Sequence, residues 1–271
     1  MTRLPHPRVG GLYDSPVRPG SGWPGDPATR RTVVAASPAD VTTMAGAARS
    51  LKQLEAEMSV CRACPRLVQW REEVAVTKRK SYADQPYWGR PATGFGAARP
   101  RILVVGLAPA AHGANRTGRV FTGDRSADWL FGSMYRTGFA SQPSSDHLGD
   151  GLQLDGAFVT AAVRCAPPAN KPLPAERDNC LPYARDELDL LENVRVIVCL
   201  GGFAWDVAGR VLGVAHPRPR FGHGAEHALA DGRTILGCFH PSQQNTFTGR
   251  MTEGMIDAVF ARARALAVAG Q

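Results

Sequence analysis

Four cysteines carry the chemistry with the narrowest set of meanings. Cys61-Arg62-Ala63-Cys64-Pro65 sets two thiols at a spacing that grips one metal centre, and Cys165 and Cys180 follow much later. Four thiolates with no histidine among them suit a [4Fe–4S] cluster or a structural zinc. A redox Cys-x-x-Cys opens a helix directly after a strand. Here the pair follows a predicted helix, which argues against a thioredoxin-like role. Cys199 and Cys238 lie inside apolar runs and read as small core residues.

Two further segments hold groups that can act on a substrate. Gly106-Leu-Ala-Pro-Ala-Ala-His-Gly-Ala-Asn-Arg-Thr-Gly-Arg-Val-Phe-Thr-Gly-Asp124 starts as a strand-to-loop turn. It lacks the G-x-G-x-x-G spacing, so dinucleotide binding is unsupported. Its glycines, with Pro109 and Asn115, let backbone approach a flat ligand closely. Phe121 and Asp124 put a stacking ring beside a carboxylate, an arrangement that suits a nucleobase. The second segment is His240-Pro-Ser-Gln-Gln-Asn-Thr-Phe-Thr-Gly-Arg250. Its imidazole is followed by neutral donors, Ser242 and Asn245 among them, and by Arg250. That composition suits phosphate contacts from a loop that touches a duplex. Residues 78–90 interleave basic and aromatic side chains, which fits nucleic-acid contact and a solvated turn equally.

The elements that must position these groups follow from the apolar pattern. Short runs rich in β-branched residues at 101–105, 157–163, 195–200 and 234–239 read as strands. Helical stretches at 126–137, 175–192, 203–212 and 252–268 separate or follow them. The alternation predicts an α/β fold whose parallel sheet is covered on both faces. Ligands of such folds bind beyond the carboxyl ends of the strands. The Gly106 loop, the Arg164-Cys165 segment and the His240 loop all leave strands there, so three exits converge on one crevice. Ser37-Pro38-Ala39-Asp40 predicts a helix start, and Val41, Met44, Ala48, Leu51, Leu54 and Met58 form one helical face leading to Cys61. Residues 1–36, rich in proline and glycine and without period, read as a disordered basic arm. Residues 37–271 read as a single domain.

Composition sets outer limits. At 271 residues and 44% hydrophobic, the chain can bury a full core without disulfides. No long apolar stretch predicts a membrane span or a signal peptide. Six cysteines are too few for a secreted scaffold, and point to a reducing, cytoplasmic setting. The net charge is +8, and 28 of the 32 basic residues are arginine, whose planar fork suits phosphate. The arm contributes only part of this excess, so an anionic polymer is a natural partner for the domain itself.

Taken together, these motifs resemble family 5 of the uracil-DNA glycosylase superfamily, the bacterial and archaeal iron–sulfur enzymes called type B. The resemblance runs from about residue 50 to the C-terminus. It rests on the cysteine quartet, Gly-Leu-Ala-Pro-Ala-Ala-His-Gly, Phe-Thr-Gly-Asp, Arg-Cys-Ala-Pro-Pro-Ala-Asn-Lys-Pro and His-Pro-Ser. It implies a three-layer α/β/α sandwich around a four-stranded parallel sheet. It implies a structural [4Fe–4S] cluster on Cys61, Cys64, Cys165 and Cys180, with no catalytic metal. The implied activity is monofunctional hydrolysis of the glycosidic bond of uracil and other deaminated bases in DNA, hypoxanthine among them, by a monomer. Asp124, Asn170 and His240 are the implied catalytic residues. Phe121, Ala108 and Pro109 would hold the base, and Ser242, Asn245 and Arg250 the DNA. The related family 4 carries an asparagine four residues before the third cysteine; Ala161 stands there in this chain, which implies relaxed base selection. Two other readings use the same cysteines. A non-catalytic iron–sulfur DNA-binding protein would keep the scaffold, and an electron carrier would leave the Asp124 loop unexplained.

Overall fold

In the computed structural model, which describes residues 3–269, the chain opens with two short antiparallel strands, β1 (Leu4–Pro5) and β2 (Leu12–Tyr13). The expected disorder of residues 1–36 is corrected over the described part of that segment. Tyr13, Val17 and Trp23 are buried against Trp88. Asp26 accepts from both terminal guanidinium nitrogens of Arg90, at 2.8 and 3.0 Å, and the pair is almost wholly covered. The apolar residues of this arm serve as separate anchors along an irregular path. They share no helical or strand period, which is why the pattern gave no element.

The helical face expected from Val41 to Met58 is divided between α1 (Pro38–Ala47) and α2 (Leu51–Ser59). Ser37 Oγ accepts from the Asp40 N–H at 3.2 Å, and Asp40 Oδ2 accepts from the Ser37 N–H at 2.9 Å, the reciprocal capping predicted for this start. Ser50 then caps α2 by accepting from the Gln53 N–H at 3.2 Å. Val41, Ala45, Leu54 and Met58 still pack in one cluster with Tyr183, so their spacing mimicked a single helix. α3 (Pro65–Thr77) begins directly after Cys64, with proline in its first turn.

The rest of the chain follows the predicted alternation. After β3 (Phe95–Gly96) come β4 (Ile102–Gly106), α4 (Ala114–Thr117) and α5 (Arg125–Arg136). β5 (Ala157–Ala161), α6 (Pro174–Leu190), β6 (Val196–Leu200) and α7 (Gly202–Val211) continue it. β7 (Glu226–Ala228), β8 (Thr234–Cys238), α8 (Gln243–Phe247) and α9 (Glu253–Ala269) complete the chain. The sheet order is β3-β5-β4-β6-β8-β7. β5, β4, β6 and β8 run parallel and are the four strands expected; β3 and β7 add short antiparallel edges.

Side-chain alternation along the central strands builds the layers. Ile102 and Val104 of β4 pack on one face with Leu130 and Met134 of α5 and Ile256 and Phe260 of α9. Leu103 and Val105 pack on the other with Leu188 of α6 and Ala204, Val207 and Ala208 of α7. Strands buried on both faces in this way read as continuous apolar runs. Cys199 and Cys238 are buried within β6 and β8, as expected. Among the described residues no helix is long and apolar enough to cross a membrane.

Candidate active site

The carboxyl ends of β4, β5 and β8 open into one cavity of about 610 Å³. Its walls include Ala108, Pro109, Phe121, Asp124, Asn170, His240 and Ser242, and Ala161 lies among them. All three expected catalytic positions and all three expected base-binding positions thus meet in one place.

Asp124 is held by the helix that follows it. It is the N-cap of α5, and its Oδ1 accepts from the N–H groups of Ser126 and Ala127 at 2.9 and 3.1 Å. Oδ2 takes no hydrogen bond from the described residues and faces Gly113, where a Cβ would collide with it. Glycine at 113 is therefore a requirement of this packing. Burial pushes the Asp124 carboxyl above its ordinary range, while the two N–H groups and the nearby Arg116 pull it back.

Phe121 adopts a left-handed backbone, φ 48°, and lays its ring on Gly106 at the end of β4. A side chain at Gly106 would occupy the space of that ring. The Phe121 and His240 rings lie 6.1 Å apart, tilted by 32°. Burial depresses His240 to about 4, so its imidazole is neutral near pH 7 and can donate without carrying charge. Its Nδ1 is buried and has no partner among the described residues.

Asn170 stands at the exposed lip, φ 55°, directly after Ala169 at φ 51°. Left-handed backbone costs an alanine about 1–2 kcal/mol, so the surrounding loop must hold this turn against its preference. The three positions expected to contact DNA part company. Ser242 lines the cavity and caps α8, accepting from the Asn245 N–H at 3.4 Å. The Asn245 amide is spent on the His240 carbonyl, at 2.8 Å. Arg250 is exposed outside the cavity, its guanidinium 4.8 Å from the Phe239 ring.

The four cysteines line a second, enclosed cavity where the α2–α3 junction meets α6 and the segment after β5. Among the described residues none of the four is paired in a disulfide, and burial pushes each thiol above its ordinary range. Among the described residues no three His, Cys, Asp or Glu side chains are placed to hold a single metal ion. Sequence reasoning missed the residue that most characterises this cavity. Arg71 of α3 is 1% exposed and donates to Cys165 Sγ at 2.8 Å and to the Cys61 carbonyl at 2.9 Å. None of its hydrogen bonds reaches a carboxylate, and its Nε has no partner among the described residues. Asn179 adds a contact from its amide to Cys64 Sγ at 3.4 Å. No spacing rule marks Arg71; its place two turns along α3 from Cys64 was the only available sign.

The chain is 58% identical over 264 residues to the type-5 uracil-DNA glycosylase of Mycobacterium tuberculosis, covering 97% of this chain and 98% of that one. It is 48% identical over 210 residues to the type-5 uracil-DNA glycosylase of Thermus thermophilus, covering 78% of this chain and 95% of the other. Against the enzyme of that name from Pyrobaculum aerophilum it is 42% identical over 205 residues, covering 76% and 88%. The mycobacterial match is long enough to include most of the arm, which the resemblance read from motifs alone left out. The family model described as the uracil DNA glycosylase superfamily matches residues 93–264, a span that holds the whole sheet and every wall of the Asp124–His240 cavity, and the chain belongs to that superfamily.

Proposed function

We propose that this protein is a DNA glycosylase that hydrolyses the N-glycosidic bond of uracil, and of other deaminated bases including hypoxanthine, in DNA. The observation that carries the reading is the meeting of Asp124, Phe121 and neutral His240 around one cavity. The similarity to three type-5 uracil-DNA glycosylases supports it.

A base inside a duplex is out of reach, so the nucleotide must rotate into the cavity, at a cost of a few kcal/mol that mispairing reduces. Phe121 stacks on the extruded base. As the C1′–N bond breaks, its electron pair leaves with the base and positive charge develops on the sugar. The Asp124 carboxylate stabilises that charge and orients a water whose oxygen bonds to C1′. The proton released passes to the carboxylate or to solvent. His240, neutral and partly desolvated, donates to the base as it becomes anionic. Asn170 at the lip helps to place water or base. Among the described residues no lysine lines the cavity, which fits hydrolysis without a Schiff base. Ala161, Ala108 and Pro109 give the cavity an apolar part with no side-chain hydrogen bonds to read the base edge, which favours broad selection among deaminated bases.

The cysteine cavity suits a structural [4Fe–4S] cluster on Cys61, Cys64, Cys165 and Cys180. Among the described residues no carboxylate accepts from the buried Arg71 cation, and thiolate ligation would supply its counter-charge. A cluster that takes one thiolate per iron also tolerates sulfurs set wider apart than a single zinc at about 2.3 Å would. When bound, it ties α3 and α6 together and takes no part in the hydrolysis. The cavity is complete within one chain, which fits a monomer acting on DNA in the cytoplasm. The test is release of free base from duplexes carrying uracil or hypoxanthine. Retained binding with no base release would favour the non-catalytic alternative.

A further inference from the structure

The cavity does not hold every group that bears on Asp124. Arg116, in α4, is 4% exposed and lies behind the Asp124 turn. Its Nε donates to the His112 carbonyl at 2.9 Å, Nη1 to Gln85 Oε1 at 2.8 Å, and Nη2 to the Gly123 carbonyl at 3.2 Å. The Tyr82 ring covers it at 4.0 Å. Every one of these hydrogen-bond acceptors is uncharged. A buried guanidinium costs several kcal/mol to desolvate, and here its charge is answered across space by the Asp124 and Asp146 carboxylates, with no hydrogen bond to either. Gly123, at φ 76°, packs so closely that a Cβ there would meet the Arg116 Nη2. The cation is therefore seated directly beneath the residue that precedes Asp124.

We propose that Arg116 is a positioning residue for the glycosidic reaction: through the Gly123 carbonyl it fixes the Asp124 turn, and through its buried charge beneath that turn it keeps the Asp124 carboxylate ionised. The inference rests on the uracil-glycosylase reading above and assigns a use to the stretch around Tyr82 and Gln85, which supplies the neutral cradle. Burial would otherwise favour the protonated acid, which can neither stabilise a sugar cation nor orient water. The two helix N–H groups oppose that trend, Asp128 on the same helix adds to it, and Arg116 opposes it. The other cations around the Asp124 turn are turned to other groups. Arg125, on the same helix, leans over Phe247 at 5.1 Å, and Arg8 of the arm pairs with Asp146 at 3.4 Å. The imidazoles of His240 and His147 are held neutral by burial.

Single-turnover hydrolysis of uracil-containing duplex, followed across pH for the native protein, Arg116→Gln and Arg116→Lys, tests this. An opposite charge close to a carboxylate lowers its pKa by about 1–3 units. In Arg116→Gln the acidic limb should move to higher pH by about one unit, with roughly tenfold loss below it that is regained above it. Arg116→Lys should keep the limb near its native place. A uniform loss at every pH with an unmoved limb overturns the proposal. A second measurement needs no change at 116. The Arg116 guanidinium resonances of the native protein should titrate with the midpoint of the limb, and should stay flat in Asp124→Asn. Identical curves in the two proteins overturn it, whereas a native protein that releases no uracil defeats the glycosylase reading instead.

Discussion

The side-chain amide of Asn245 donates to the backbone carbonyl of His240 across 2.8 Å, so the first turn of α8 holds the strand exit that carries the imidazole. Ser242 secures the same turn from its start by capping Asn245. Asn245→Ala removes one buried-side hydrogen bond, worth about 1 kcal/mol. The expected result is a several-fold fall in the single-turnover rate with little change in binding to abasic DNA. A selective loss of binding instead would return Asn245 to the DNA-contacting role expected from the sequence.

Asp124 serves two purposes that substitution can separate. As N-cap of α5 it accepts from Ser126 and Ala127 through Oδ1, and Oδ2 remains for chemistry. Asparagine keeps the cap but not the charge, whereas alanine loses both, at about 1 kcal/mol of stability for the cap. Both variants should lose on the order of a hundredfold or more in hydrolysis. Only Asp124→Ala should melt earlier, and both should still bind abasic DNA. Full activity in Asp124→Asn removes the carboxylate from the mechanism.

Much of the site was legible because its residues lie in contiguous segments that follow recognisable strands. His240 lies just beyond β8, the segment carrying Phe121 and Asp124 leaves β4 and folds back so that the Phe121 ring lies on Gly106, and parallel topology brings such exits together. The layers were legible for the same reason: apart from Thr160 and Thr234, the residues of β4, β5, β6 and β8 are apolar or glycine. What sequence could not show was which side chains answer one another across the fold. Arg71 and Arg116 look like ordinary surface arginines in the sequence, yet both are buried with neutral or sulfur partners. The break between α1 and α2 was hidden because both helices bury the same stripe. The arm was misread because its composition is that of a disordered segment, while its anchors Tyr13, Val17 and Trp23 act singly.

Arg71 makes the cysteine cavity testable without reference to activity. Its Nη1 donates to Cys165 Sγ at 2.8 Å, and its charge has no carboxylate among its hydrogen-bond partners. Arg71→Met keeps the length of the side chain and removes the charge. The variant should be purified with less iron and sulfide than the native protein, and should lose its visible absorbance sooner under chelator. Native protein containing zinc and no sulfide would disprove the cluster assignment.

Acid should weaken the fold through histidines that are buried without charge. Burial lowers His6 to about 4, His147 to about 3 and His240 to about 4, from an ordinary value of 6.5. In the unfolded chain all three would take up a proton near pH 6.5, so between that value and about 4 the unfolded state binds more protons. Their contribution to stability is complete above pH 6.5 and is lost as pH falls, by about 1.4 kcal/mol per pH unit for each group. His6 and His147 meet edge to face at 4.4 Å, where the arm joins the loop after α5. Loss of the arm's packing should therefore be an early event on acidification. His147→Phe keeps a ring in that box and removes one titrating group. Thermal melts from pH 7.5 to 4.5 should show the native melting temperature falling steeply below pH 6.5, and the variant's falling less. Equal slopes in the two proteins would mean that His147 is already charged in the folded state, with a partner that the arm's packing does not provide.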